Sequence, residues 1–138
     1  MFATDPAVLD EVVPRLVASG GFLLALGNEV DVWLGLHPDQ RAAYLAFLEA
    51  ARAHVRTLDA RLAVGVSVTF GVLANDPGLL AELDAATDVV AFTYYPHASD
   101  FSVEDPSVVA ADLAEMVAAV APYPLVLQEV GYPAGYTA

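Results

Sequence analysis

The stretch FLLALGNE, residues 22–29, decides the fold of this chain because it is an apolar run that ends in a carboxylate. A second run, LVLQEVGYP at residues 125–133, contains Glu129. A continuous apolar run is typical of a parallel strand that is buried on both faces. The carboxyl ends of parallel strands form the face where α/β proteins carry their chemistry. Since an unpaired charge is too costly to bury, both glutamates are predicted to lie at that face.

Helix and strand patterns alternate along the chain, which favours βα units and a parallel sheet. Four strands are predicted, at residues 22–26, 63–69, 89–93 and 125–128. The first helix is predicted at residues 7–19, with Pro14 expected to kink or shorten it. After a loop containing Trp33, further helices are predicted to begin at Pro38, at Asp76-Pro77 and at Asp105-Pro106.

Four strands with a polar rim at their C-terminal ends indicate a segment of a larger architecture. A complete (β/α)8 barrel needs roughly 250 residues, whereas this chain has 138. We therefore expect an α/β fold, a partial (β/α)8 TIM barrel of about four parallel strands with helices on the outer face. Residues 1–138 would form a single domain. Its open edges predict a gene fragment, an excised segment or a chain that completes its barrel by association.

The composition argues against several classes of partner. The net charge is −13 and all five basic residues are arginine, so nucleic acid and anionic membranes would be repelled. The chain lacks cysteine, lysine, a metal-binding spacing and a Gly-x-Ser-x-Gly motif, and no metal or cofactor is expected. It has neither a signal-peptide pattern nor an apolar stretch of the roughly 18 to 20 residues that span a membrane. Its cellular compartment stays undetermined.

The two glutamate segments resemble the catalytic segments of clan A retaining glycoside hydrolases. Gly-Asn-Glu at residues 27–29 is similar to the end of strand four of that barrel, and QEVGYP at residues 128–133 to the end of strand seven. DVVAFTYYP at residues 88–96 resembles strand six of the endo-β-1,4-galactanases, whereas plant-type β-1,3-glucanases share the two glutamate motifs. The subfamily therefore stays open, and the galactanase histidine is absent after the second strand. The match covers nearly the whole chain, as strands four to seven of the C-terminal half.

The resemblance implies retaining hydrolysis of a β-linked glycan, with Glu29 as the general acid/base and Glu129 as the nucleophile. Tyr94 or Tyr95 would contact the nucleophile, and because they alternate along the strand, one is expected to pack and the other to line the cleft. Stacking on sugar rings is expected for Trp33 or Tyr132. The candidate substrate-binding residues are Asn28, Trp33, Tyr94, Tyr95, His97 and Tyr132. The implied partner is an oligo- or polysaccharide, with self-association as a way to cover the barrel edges.

Two other interpretations stay open at this point. The chain could be a non-catalytic carbohydrate-binding or scaffold segment that kept the motifs, which predicts stabilisation by sugar without turnover. It could also be an unrelated doubly wound α/β domain whose glutamates are ordinary rim residues. That fold predicts a flat sheet with helices on both faces.

Overall fold

The structure, a computed structural model, describes residues 6–98, 100 and 102–132. Within them it shows an α/β fold with four parallel strands. The strands are β1 (Leu23–Ala25), β2 (Ala63–Thr69), β3 (Val89–Tyr94) and β4 (Val126–Val130). The helices are α1 (Pro6–Ala18), α2 (Val30–Leu36), α3 (Arg41–Leu58), α4 (Val72–Asn75), α5 (Pro77–Ala86) and α6 (Val109–Val120). Short 3-10 turns at Pro38–Gln40 and Pro106–Val108 lead into α3 and α6.

The sheet order is β1-β2-β3-β4, so each βα unit advances the chain by one strand. A doubly wound sheet would instead reverse its strand order at a switch point. The register between β3 and β4 shifts once: Phe92 pairs with Leu127, and Thr93 pairs with Glu129. Gln128 is therefore the extra residue of a β-bulge, a feature that re-aims side chains and is frequent beside active sites.

The two faces of the sheet differ in residue size. One face carries apolar side chains that pack against the helices, such as Val66, Phe92 and Tyr94. The other carries small and polar residues, as expected from alternation along a strand. These are Gly65, Ser67 and Thr69 on β2 and Ala91 and Thr93 on β3.

The sheet curls toward its small-residue face. Asn28 follows β1 and Gln128 lies on β4, yet their side chains are joined by a 3.1 Å hydrogen bond although two strands separate β1 from β4. The described part of the chain is thus a half-barrel with helices on its outer face. The partial-barrel prediction is confirmed, and the flat doubly wound alternative is wrong.

Local chemistry sets the start of α5 and the buried face of α3. The Asp76 carboxylate accepts from the Leu79 backbone N–H at 2.8 Å and caps α5, with Pro77 at its first position. In α3 the buried residues recur at steps of three and four, which is the spacing of one helical face; they are Tyr44, Leu48, Ala51 and Val55. None of the described helices is long and apolar enough to cross a membrane.

Three features differ from the sequence-based expectations. Pro14 does not shorten α1, which continues to Ala18. The loop expected around Trp33 is helix α2, because Val30 and Leu34, four residues apart, are both buried on one face. Strand β4 extends beyond residue 128 to Val130, because pairing with β3 resumes after the bulge.

Candidate active site

Glu29 lies between β1 and α2 in a strained backbone conformation. Its φ of 49° and ψ of 45° are left-handed, and it is the only non-glycine residue with positive φ among the described residues. This conformation costs a residue with a Cβ about 1–2 kcal/mol. Such strain persists only where the surroundings fix it, and it clusters at functional sites.

The contacts that fix Glu29 come from two neighbouring strands. Its backbone N–H donates to the Ser67 hydroxyl of β2 at 3.2 Å. Its Oε1 accepts from the Thr93 hydroxyl of β3 at 2.8 Å. Glu29 is half-buried. Because Ser67 and Thr93 both lie on the small-residue face of the sheet, that face determines the position of the Glu29 carboxylate.

Thr93 contacts Glu29 and is also the strand-pairing partner of Glu129. Thr93 and Glu129 are paired residues on neighbouring parallel strands, so their side chains leave the same face of the sheet. Neighbouring strands lie about 4.8 Å apart. The Glu29 carboxylate therefore contacts a residue that is one strand spacing from Glu129, and the two glutamates share the cleft.

Glu129 accepts a hydrogen bond at its Oε2 from the Tyr95 hydroxyl at 3.1 Å. The Tyr95 ring lies against the backbone of Gly131, where an added Cβ would come within 2.5 Å of the ring. Gly131 is thus needed for this ring position. The bond to Glu129 is the largest cause of a raised pKa of Tyr95, followed by burial and by the charges of Glu129 and Glu29. The influence of both carboxylates on one phenol agrees with all three groups meeting in the cleft.

A second polar network lies beside Glu29. The Asn28 Oδ1 accepts from the Ser67 hydroxyl at 2.8 Å and from the Gln128 Nε2 at 3.1 Å. Ser67 is fully buried. Gln128 and Glu129 both face the cleft because the bulge interrupts the alternation after Leu127. This network connects the segment that carries Glu29 with the segment that carries Glu129.

The charge of the cleft is negative. Asp31 lies near Glu29 in sequence and accepts from the Thr69 N–H at 2.9 Å and from its hydroxyl at 2.6 Å. The five arginines pair with carboxylates other than Glu29, Asp31 and Glu129. These pairs are Arg15–Glu11, Arg41 with Asp76 and Glu82, Arg52–Asp88, Arg56–Asp88 and Arg61–Asp59. Within the described residues no group of histidines and carboxylates is arranged to hold a metal ion.

Of the two adjacent tyrosines, only Tyr95 lies in the cleft. Tyr94 is 2% exposed on the helix side of the sheet, where its hydroxyl donates to the Asp112 carboxylate at 2.6 Å. As expected from their alternation, one tyrosine packs and the other reaches Glu129, and the buried position of Tyr94 does not support its predicted role in substrate binding. Alternation along β3 directs it away from Thr93 and toward α6.

The remaining candidates lie at the rim. The Trp33 ring is 40% exposed and stacks on His37 of the same segment, with ring centroids 4.5 Å apart. His97 is exposed and pairs with Val103 in an isolated antiparallel bridge. The Tyr132 hydroxyl donates to the backbone carbonyl of Glu104. These three rings are accessible to a ligand at the surface.

Sequence reasoning missed Ser67, Thr93 and Gln128. A signal for the first was present, because small and polar residues alternate with valine along AVGVSVT at residues 63–69. That alternation marks a face that no helix covers. No local pattern indicated that Gln128 is the extra residue of a bulge, since a bulge depends on the partner strand.

A cavity of about 540 Å³ opens elsewhere, between α5 and α6. It is lined mainly by apolar side chains such as Leu80 and Val120, with Asp84 and Glu115 among them. It lies on the outer layer of helices, away from the strand ends. Its lining has no nucleophile with an adjacent base, so the cleft at the strand ends is the better candidate.

Comparison of the chain with family models, curated proteins and solved structures finds no match. The geometry of the strand ends and the resemblance of the two glutamate segments are therefore the features that bear on function.

Proposed function

We propose that this chain carries the catalytic pair of a retaining glycoside hydrolase that acts on a β-linked glycan. The observation that supports this most is the position of Thr93, which donates to Glu29 and pairs with Glu129 across the sheet. Two carboxyl groups about 5–5.5 Å apart are the equipment of a retaining enzyme, whereas inverting enzymes separate them by about 6.5–9.5 Å. Because Thr93 bonds Glu29 and lies one strand spacing from Glu129, its position favours the shorter separation of the two carboxyl groups.

In the proposed reaction Glu129 attacks the anomeric carbon and forms a covalent glycosyl ester, while Glu29 protonates the leaving oxygen. Glu29 then removes a proton from water, which hydrolyses the ester. Thr93 occupies one oxygen of Glu29 and leaves the other to carry the proton. Tyr95 fixes the rotamer of Glu129 through its hydroxyl. The reaction requires no cofactor.

The substrate that fits this cleft is neutral. The carboxylates at the strand ends are bonded by hydroxyl and amide donors rather than by arginine, so they would repel a uronate or a phosphorylated sugar. The Asn28 amide is proposed to bond the sugar 2-hydroxyl, an interaction that strengthens in the transition state. Trp33 and Tyr132 supply exposed rings on which sugars can stack.

The experiment that tests this proposal is covalent labelling. The chain is incubated with 2,4-dinitrophenyl 2-deoxy-2-fluoro-β-glucoside or the corresponding β-galactoside, which form glycosyl-enzymes that hydrolyse slowly. We expect one of them to add a single fluoroglycosyl group, located on Glu129 by peptide mass spectrometry. Glu129→Gln should abolish labelling, and Glu115→Gln, an exposed carboxylate on the outer helix α6, should leave it unchanged.

Absence of labelling, or labelling of another residue, would contradict the proposed mechanism. Stabilisation of the chain by β-linked oligosaccharides without labelling would favour the alternative, a non-catalytic carbohydrate-binding segment. The melting temperature with and without the oligosaccharide distinguishes that outcome from no binding.

A further inference from the structure

The hydrogen bond between Gln128 and Asn28 joins the two ends of the half-barrel. It connects residues 100 positions apart in the chain and lies beside both glutamates. The bulge lets Gln128 and Glu129 face the cleft together, because ordinary alternation after Leu127 would turn only Gln128 there.

The bonds of this network run from Glu29 to Asn28, because Ser67 is buried and its hydroxyl hydrogen needs an acceptor. The Glu29 backbone N–H can only donate, and it donates to the Ser67 oxygen. The Ser67 hydroxyl in turn donates to the Asn28 Oδ1, which also receives the Gln128 Nε2. Both acceptor sites of that amide oxygen are therefore occupied.

The consequence concerns the other end of the Asn28 side chain. With its oxygen held by Ser67 and Gln128, its Nδ2 has no protein partner within the described residues. Asn28 is exposed at the cleft, so these two N–H groups are free to donate to a ligand. A sugar hydroxyl oxygen is the acceptor that this arrangement suits.

We propose that Gln128 is a positioning residue. By donating to Asn28 from β4, it holds the Asn28 amide with its N–H groups toward the substrate, and it ties the segment of Glu29 to the segment of Glu129. This inference rests on the proposed glycosidase function for the nature of the ligand. The bond between Gln128 and Asn28, called the clamp below, does not depend on that function.

The first arm of the test measures the clamp without any substrate. Urea unfolding of wild type, Asn28→Ala, Gln128→Ala and the double variant forms a double-mutant cycle. We expect the two side chains to be coupled by about two- to tenfold in the unfolding equilibrium constant, as for one exposed to half-buried hydrogen bond. Additive effects, with no coupling, would overturn the proposal.

The second arm measures positioning with the aryl β-glycoside whose fluorinated analogue labels Glu129, compared with its 2-deoxy form. Wild type should prefer the 2-hydroxyl substrate in kcat/KM, and Gln128→Leu should reduce that preference about tenfold. Gln128→Glu has the same size, but its carboxylate accepts hydrogen bonds and cannot donate them. The Asn28 amide should therefore flip, so that its Nδ2 faces residue 128 and its Oδ1 faces the substrate. It should keep a bond to Asn28 yet lose the preference as fully as Gln128→Leu.

Gln40→Ala, at a half-buried glutamine bonded to Asp39, is the control and should leave the preference unchanged. If Glu129 is labelled but both Gln128 variants keep the preference, the positioning role is wrong and the glycosidase proposal stands. If the cycle shows coupling but Glu129 is never labelled, the clamp exists and the glycosidase proposal is the part that fails, together with the substrate role of Gln128.

Discussion

The two carboxylates of the cleft are held in different ways. Glu29 is half-buried at the end of β1, strained at φ 49°, and bonded by residues of two inner strands. Glu129 lies on β4, which pairs only with β3 in the described sheet, and its carboxylate is bonded by one partly exposed tyrosine. The outer side of β4 is also uncovered, with Leu127 37% and Val130 67% exposed. Since β1 and β4 are both edge strands of the described sheet, the difference lies in the bonds: the proposed acid/base is held by residues of the two inner strands, whereas the proposed nucleophile depends on one tyrosine.

The largest expected effect is on turnover, and it distinguishes the chemical roles of Glu29 and Glu129. Glu129→Gln should abolish turnover of every aryl β-glycoside, because no covalent intermediate can form. Glu29→Gln should lower kcat/KM by about 10²–10⁴-fold for poor leaving groups, since general acid catalysis supplies that factor. It should have little effect on formation of the intermediate from a dinitrophenyl glycoside, whose leaving group needs no proton.

Steady-state and burst kinetics across a series of leaving groups would measure this difference. Equal losses in Glu29→Gln for good and poor leaving groups would show that Glu29 is not the acid. Retained turnover in Glu129→Gln would remove the distinction between the two carboxylates altogether.

The next effect compares the hydrogen bonds that hold the two carboxylates. Thr93→Val removes the donor to Glu29 and leaves a half-buried carboxylate oxygen without its partner, which costs about 1–3 kcal/mol of unfolding free energy. Tyr95→Phe removes an exposed bond to Glu129 and should cost about 0.5–1.5 kcal/mol. Urea unfolding measures both, and Thr93→Ser, which keeps the hydroxyl, is the control. A larger loss in Tyr95→Phe would reverse the proposed order of rigidity.

A smaller effect tests the backbone strain at Glu29. Glu29→Gly and Glu29→Ala both remove the carboxylate, but only alanine retains a Cβ in the left-handed conformation. Glycine should therefore give the more stable protein by about 1 kcal/mol. At Glu129, inside a strand, the order should be opposite, with alanine more stable than glycine by about 0.5–1 kcal/mol. The same preference at both positions, measured by denaturant unfolding, would show that the backbone of Glu29 is not strained.

The sequence was sufficient for the architecture because the relevant signals are local. Strand β2 was predicted at residues 63–69, where it lies, since its apolar run is bounded on both sides. The helix start at Asp76-Pro77 was predicted because a carboxylate cap and a proline act within one turn. The placement of both glutamates on one face followed from the parallel order of the strands.

The hydrogen bonds of the site could not be predicted in the same way. The contact of Thr93 with Glu29 joins residues 64 positions apart, and it requires the curl of the sheet. That Gln128 and Glu129 face the cleft together depends on a bulge that is defined by pairing with β3. The helix at residues 30–36 was missed because Glu29, the residue before it, has a left-handed conformation that no local pattern indicates.

The smallest expected effect concerns the proton of Tyr95. Its pKa lies above the ordinary value of 10.0, chiefly because its hydroxyl donates to Glu129. For a phenol with a raised pKa in the folded state, the contribution to stability is complete below pH 10 and is lost as the pH rises through the folded-state pKa. In Glu129→Gln the carboxylate charge is absent, so Tyr95 should ionise at a lower pH. Tyr44, whose pKa is raised by burial to about 12, is the internal control and should not change.

An NMR titration of the tyrosine ring signals, assigned with Tyr95→Phe, would measure these values. Gly131→Ala should act in the same direction as Glu129→Gln, because the added methyl group displaces the ring from its position beside Glu129. If Tyr95 titrates identically in wild type and in both variants, its hydroxyl does not bind Glu129 in solution. Glu129 would then lack its hydrogen bond from Tyr95. The difference in rigidity between Glu29 and Glu129 would be larger than the structure indicates.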